Sequence, residues 1–248
     1  MIARSIVAAL FLAPAQASAD TALIAVATNF APVAQMLAPR FNGLTGHEVT
    51  ITAGATGKLY AQIAQAAPFD ALLSADIATP SRLIDEGFAV PGSQFTYATG
   101  NLVLWSADPA LIGPDGPAAL RASELRYVAI ANPDLAPYGL AAQEVLQALS
   151  LWDAVQPKIV MGQNIGQTFA LIDSGAAELG FVAGSALIDR SIGGSRWDVP
   201  ASLHAPITQD AVLLTHGAEN PAALAFLAYL QSPAATALIA AQGYGAGP

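Results

Sequence analysis

The chain has 248 residues, of which 54% are hydrophobic and only 11% charged. That balance excludes disorder and leaves room for one large α/β domain or two domains of about 100 residues each. The net charge of −9, from 9 basic and 18 acidic residues, leaves no basic footprint for nucleic acid. The absence of cysteine excludes disulfides, Cys-built zinc or redox sites and a lipid-attachment cysteine.

The N-terminus has the three parts of a secretory leader. Met1-Ile2-Ala3-Arg4 is a short basic start, Ser5 to Pro14 is mostly apolar, and Ala17-Ser18-Ala19 is an A-x-A cleavage site before Asp20. The apolar run is shorter than the roughly 20 residues needed to span a membrane, and no later segment is long and apolar enough to do so. Residues 1–19 are therefore expected to be removed, leaving a soluble periplasmic protein with no membrane tether. Removal deletes Arg4 and no acid, so the mature charge is 8 − 18 = −10. Such a surface repels anions at long range, so an anionic ligand would have to be held by local dipoles.

Beyond Asp20, short apolar runs alternate with stretches of helical period. Thr21 to Ala27 is a strand, followed by a helix with Val33, Met36, Leu37, Phe41 and Leu44 on one face. Thr28 or Asn29 is its expected N-cap, Pro32 suits the first turn, Pro39 is expected to kink or end it, and Gly46 closes it. Val49 to Ala53 is a strand, Gly54 to Gly57 a turn and Lys58 to Ala66 a helix. Ala71 to Leu73 and Ala78 to Glu86 repeat the strand–helix pattern. Phe95 to Ala107 reads as strand, Ala118 to Leu125 as a short helix, Tyr127 to Ala131 as strand and Leu140 to Leu149 as helix. Ile159 to Met161, Phe169 to Ser174, Leu179 to Ala183 and Ala186 to Ile188 continue the alternation. Ile192 to Leu203 reads as irregular and Ile207 to Thr215 as strand. Pro221 to Leu230 and Ala234 to Ala241 are closing helices, and Gly243 to Pro248 is a frayed tail. Strands alternating with helices predict parallel α/β sheets.

Four times a strand ends, a loop of small or polar residues follows, and a helix begins: at Thr28-Asn29, Gly54 to Gly57, Ala136 to Gly139 and Gln163 to Gly166. Ligands of open α/β sheets bind beyond the carboxyl ends of strands, where helix N-termini offer unpaired N–H groups and a positive dipole end. Ordinary capping accounts for any one of these loops. Four facing one cleft would make a neutral donor site for a small dianion.

The segments carrying these loops resemble the periplasmic molybdate-binding proteins. They are Val26-Ala27-Thr28-Asn29-Phe30, Gly54 to Ile63, Ala67 to Asp76, Asn132 to Gly139 and Glu178 to Val182, in matching order over nearly all of Asp20 to Gln242. The resemblance implies a type II periplasmic-binding-protein fold, with two α/β lobes joined by two crossover strands near Asn101 to Ser106 and Ile207 to Leu213. Lobe I would comprise 20–102 and 208–248, and lobe II 103–207. It implies a monomeric binder, not an enzyme, that needs no cofactor and passes molybdate or tungstate to the membrane permease of an ABC importer. The implied oxyanion-binding residues are Thr28, Asn29, Ala55, Thr56, Tyr138 and Ile165. They act through hydroxyls and backbone N–H groups on the ligand's oxygens, with no direct metal ligand and no counter-ion.

Two departures stand out. Many members have serine where Ala55 stands, and some place a ligand tyrosine where Ala183 stands. A missing hydrogen bond to a charged ligand costs about 1.5–3 kcal/mol, so Thr56, Tyr138 or water would replace the donor, or the ligand differs. The alternatives are another small oxyanion, an organic acid, or a periplasmic hydrolase, for which no nucleophile–base motif is present. Gly54 to Lys58 lacks the phosphate-loop pattern, Gly184-Ser185 lacks the second glycine of a nucleophile elbow, and His47, His204 and His216 show no metal-ligand spacing.

Overall fold

A computed structural model describes residues 19–189 and 191–245. The leader up to Ser18 and the last three residues of the expected frayed tail lie outside the described residues. The described chain builds two five-stranded sheets.

The first sheet holds β1 (Thr21–Ala27), β2 (Glu48–Gly54), β3 (Ala71–Leu73), β4 (Phe95–Gly100) and β10 (Ile207–Leu213), in the order β2-β1-β3-β10-β4. Alternation along β1 sends Ala22, Ile24 and Val26 to one face, where α1 (Ala31–Thr45), α8 (Pro221–Leu230) and α9 (Pro233–Ala241) pack. Ala25 and Leu72 face the opposite side, covered by α2 (Thr56–Ala64) and α3 (Ala78–Asp85).

The second sheet holds β5 (Leu102–Ser106), β6 (Val128–Ala131), β7 (Ile159–Gly162), β8 (Leu179–Ala183) and β9 (Ser195–Asp198), in the order β7-β6-β8-β5-β9. Leu104, Ile130 and Phe181 point toward α4 (Gly116–Leu120), α5 (Pro137–Ala148) and α6 (Trp152–Val155). Val103, Ala129 and Val182 point toward α7 (Ile165–Asp173).

Both sheets are mixed, not parallel as expected. β10 runs antiparallel to β3 and β4, and β5 antiparallel to β8 and β9. Hydrophobic period reports that a strand exists but not which way it runs. The stretch from Phe95 to Ala107 is two strands in different sheets, separated by Asn101 alone. The chain returns between Asp198 and Ile207, and the supposedly irregular region there contains the edge strand β9.

Pro39 does not end α1, which continues to Thr45. Pro39 and Gln35, whose carbonyl loses its partner, are both exposed, so that carbonyl is open to solvent rather than buried. Gly46 closes the helix at φ 76°, a left-handed conformation natural to glycine. The expected fraying does not extend to Tyr244 and Gly245. Tyr244 is only 4% exposed and packs edge-on against Phe30, while Gly245 pairs with Thr99.

Candidate functional site

β1 and β2 are adjacent and parallel in the first sheet, and β6 and β7 are adjacent and parallel in the second. Each pair ends at the same edge of its sheet, so the four following helices start side by side. The loops after these strands face one another across the gap between the sheets. Ala27 to Asn29, Gly54 to Thr56, Ala136 to Tyr138 and Asn164-Ile165, together with Ala75, line one small cavity. All six residues expected at the site are brought together there, and no lining residue carries a charge.

The local structure leaves donors pointing into this cavity. Phe30, not Thr28 or Asn29, occupies the N-cap position of α1, and neither loop side chain caps the helix. The Thr28 N–H is used by the Gly54 carbonyl at 3.0 Å, so Thr28 can offer only its hydroxyl. That Oγ1 is buried and has no partner among the described residues. α2 starts after Ala55 and α5 after Ala136, alanines that provide no side-chain cap where Ser, Thr, Asp or Asn would add about 1 kcal/mol. The N–H groups of Asn29, Ala55, Thr56, Tyr138 and Ile165 have no acceptor among the described residues. The Thr56 Oγ1 accepts the Ala75 N–H at 3.2 Å, which leaves its own proton to donate. α7 alone of these three carries a side-chain cap, from Asn164 to the Gln167 N–H.

Hydroxyl protons, N–H groups and converging helix dipoles, with no lining cation, suit a small anion rich in acceptors. A buried unpartnered hydroxyl is costly unless a ligand satisfies it, so the donor set fits a tetrahedral oxyanion. Lys58, one turn into α2, is exposed to solvent.

The Tyr138 hydroxyl accepts from Gln209 Nε2 at 3.2 Å, while its backbone N–H has no acceptor among the described residues. Ala183 lines a larger neighbouring groove with Phe169, Ser185 and Ile192, not the small cavity.

The gap is bridged directly. Gly57 N–H donates to the Leu135 carbonyl at 2.9 Å. Gly166 approaches Thr28 so closely that a Cβ there would lie 2.6 Å from Thr28 Cγ2. Behind the cavity lies a buried polar cluster that sequence reasoning missed. Asn29 Nδ2 donates to Gln209 Oε1 at 2.8 Å and reaches Tyr244 Oη at 3.3 Å. Tyr244 Oη donates to the Asn29 carbonyl at 2.7 Å and accepts from Ser185 Oγ at 3.0 Å, tying the C-terminal segment to both sides. Burial pushes the Tyr97 and Tyr138 phenols well above their ordinary range and the Tyr244 phenol up to about 12. The one available signal was Gln209-Asp210, which with Thr208 separates Ile207 from the apolar run Ala211 to Leu214. A bulge between them gives each its own buried partners.

A sequence-family profile described as bacterial extracellular solute-binding protein matches residues 22–245. The molybdate-binding protein ModA of Rhodobacter capsulatus is 48% identical over 92% of this chain and 89% of its own length. That of Azotobacter vinelandii is 47% identical over 92% of this chain and 91% of its own. The solved Azotobacter vinelandii periplasmic molybdate-binding protein superposes with a TM-score of 0.88 and 43% identity, covering 92% of this chain and 100% of that one.

Proposed function

From the premise that the chain belongs to the bacterial extracellular solute-binding protein family, we propose that it captures molybdate or tungstate in the periplasm and delivers it to an ABC importer. It carries the oxyanion as cargo between two lobes and needs no cofactor. We place lobe I at residues 20–102 and 208–248 and lobe II at 103–207, and read the protein as a monomer that presents the loaded form to the importer's permease. Thr28, Asn29, Ala55, Thr56, Tyr138 and Ile165 contact the anion's oxygens.

The single observation that carries this reading is the uncharged cavity where uncapped helix starts from both sheets meet the unpartnered Thr28 hydroxyl. Preorganised neutral donors bind a dianion without the long-range attraction that the acidic surface denies it. Such a ring suits one radius, because a smaller ion cannot reach every donor. A protonated oxygen, as on phosphate, would find no acceptor in a ring of donors alone.

Calorimetric titration of the mature, oxyanion-free protein with molybdate, tungstate, sulfate and phosphate tests this. Molybdate and tungstate bind far more tightly than the other two. Equal affinity for sulfate overturns the assignment.

A further inference from the structure

The polar cluster behind the cavity has an internal conflict. Tyr97 Oη lies 2.9 Å from the Ser74 carbonyl and 3.1 Å from Gln209 Oε1, yet a phenol has one proton to give to these two acceptors. Tyr138 Oη accepts from Gln209 Nε2 and has no acceptor for its own proton. Asn29 Oδ1 is buried without a partner, while its Nδ2 end is spent on Gln209. Asn29 lines the cavity, and the end of its amide not spent on Gln209 is an acceptor, which a dianion would repel.

Rotating both amides by 180° keeps the heavy-atom positions, resolves the first two conflicts and turns the unpartnered end of Asn29 from an acceptor into a donor. Gln209 Nε2 then donates to Tyr97 Oη and to Asn29. Tyr97 spends its proton on Ser74, and Tyr138 donates to Gln209. Asn29 turns its Nδ2 toward the cavity. The rotation gives up only the long 3.3 Å contact between Asn29 and Tyr244. Tyr97 and Tyr138 remain protonated at neutral pH, as this chain of donors needs.

We infer that Gln209 is a specificity-determining positioning residue, which holds the Asn29 amide with its NH₂ toward the bound oxyanion and its oxygen toward Gln209. Gln209 acts through Asn29 and touches no ligand itself. With the amide so held, the cavity presents donors only and selects a fully deprotonated anion. In the opposite orientation it would offer an acceptor to a protonated one. This inference rests on the proposed oxyanion function and adds the residue that sets its donor pattern.

The test compares wild type, Asn29→Ala and Gln209→Met by titration with molybdate, with thermal melting to establish folding, and follows Asn29 side-chain amide protons by NMR. Wild type binds molybdate, and binding slows exchange of the Asn29 amide protons. Asn29→Ala weakens binding by about 10- to 100-fold, the range for one charge-assisted hydrogen bond. Gln209→Met weakens it by roughly 10-fold and abolishes the slowed exchange, because nothing then holds the amide oxygen away from the anion. If either folded variant binds as tightly as wild type, the inference falls. Relief of a repulsive oxygen would even tighten binding. Weaker binding with Asn29 protons that ignore molybdate also overturns it, since the role is then only structural. Should Gln209→Met fail to fold, Asn29→Ala and the wild-type spectrum still decide. A wild type that does not bind molybdate overturns the proposed function itself, and this inference with it.

Discussion

Gly166→Ala is a single-methyl perturbation whose effect depends on whether the two sheets come together around a ligand. Gly166 is the second residue of α7, and a Cβ there would stand 2.6 Å from Thr28 Cγ2 and 3.3 Å from Asn164 Oδ1. The first distance is too short for carbon atoms, so either Thr28 moves or the gap stays wider. Overpacking of this kind costs about 1–3 kcal/mol, which converts to roughly 5- to 150-fold in affinity. If Gly166 and Thr28 meet only when the sheets close on the ligand, the cost falls on the bound form alone. In a free protein whose lobes stand further apart, alanine removes glycine's helix penalty of up to about 1 kcal/mol. Gly166→Ala is therefore expected to melt at the same or a higher temperature without ligand, yet to bind molybdate at least about fivefold more weakly by calorimetry. Gly43→Ala, in α1 with nothing near its added methyl, is the control: it should stabilise and leave affinity unchanged. Gly166→Ala with wild-type affinity would refute the reasoning, because the contact between Gly166 and Thr28 would then not belong to the bound state.

Three further outcomes are expected. Thr28→Val keeps the shape and removes a buried unpartnered hydroxyl, so the free protein loses no stability while molybdate affinity falls by about 10- to 100-fold; unchanged affinity by titration would remove Thr28 from the site. Ala55→Ser supplies both an N-cap and a hydroxyl at the cavity, raising stability by about 1 kcal/mol in thermal melts and tightening binding up to roughly tenfold; a tenfold loss in a folded variant would reopen the ligand assignment. The native state holds the protons of Tyr97, Tyr138 and Tyr244 more tightly than the unfolded chain does. Stability is thus fully present below the ordinary phenol value of about 10 and falls as pH rises toward and past 12, which denaturant titrations between pH 9 and 12 would reveal as a declining midpoint.

The sequence alone carried the alternation of strands and helices, and with it the four loops that line the cavity. Each loop is local: an apolar strand, a few small residues and a helical period suffice to place Thr28-Asn29, Ala55-Thr56, Tyr138 and Ile165 in loops between a strand and a helix. The resemblance supplied the grouping into two lobes, since nothing in one loop says which other loop it will face. Expected helix starts at Lys58, Leu140 and Phe169 fell two to four residues late, because the first turns are built from residues without strong helical period.

Tertiary structure decided what each residue does once there. Strand direction, the break at Asn101 and edge strand β9 depend on pairing partners distant in the chain, and hydrophobic period is blind to them. The same holds for the polar cluster: Asn29, Tyr97, Tyr138, Gln209 and Tyr244 meet only because β10 returns to the first sheet and the C-terminal segment folds back beside Phe30. Tyr138 was read as an oxyanion contact without deciding between its hydroxyl and its N–H, and the structure gives the hydroxyl a partner in Gln209. The physical reason is that a buried polar atom takes its role from whichever partner lies within hydrogen-bond reach. That is a property of three-dimensional neighbours, while helix starts and apolar faces are properties of residues three or four apart.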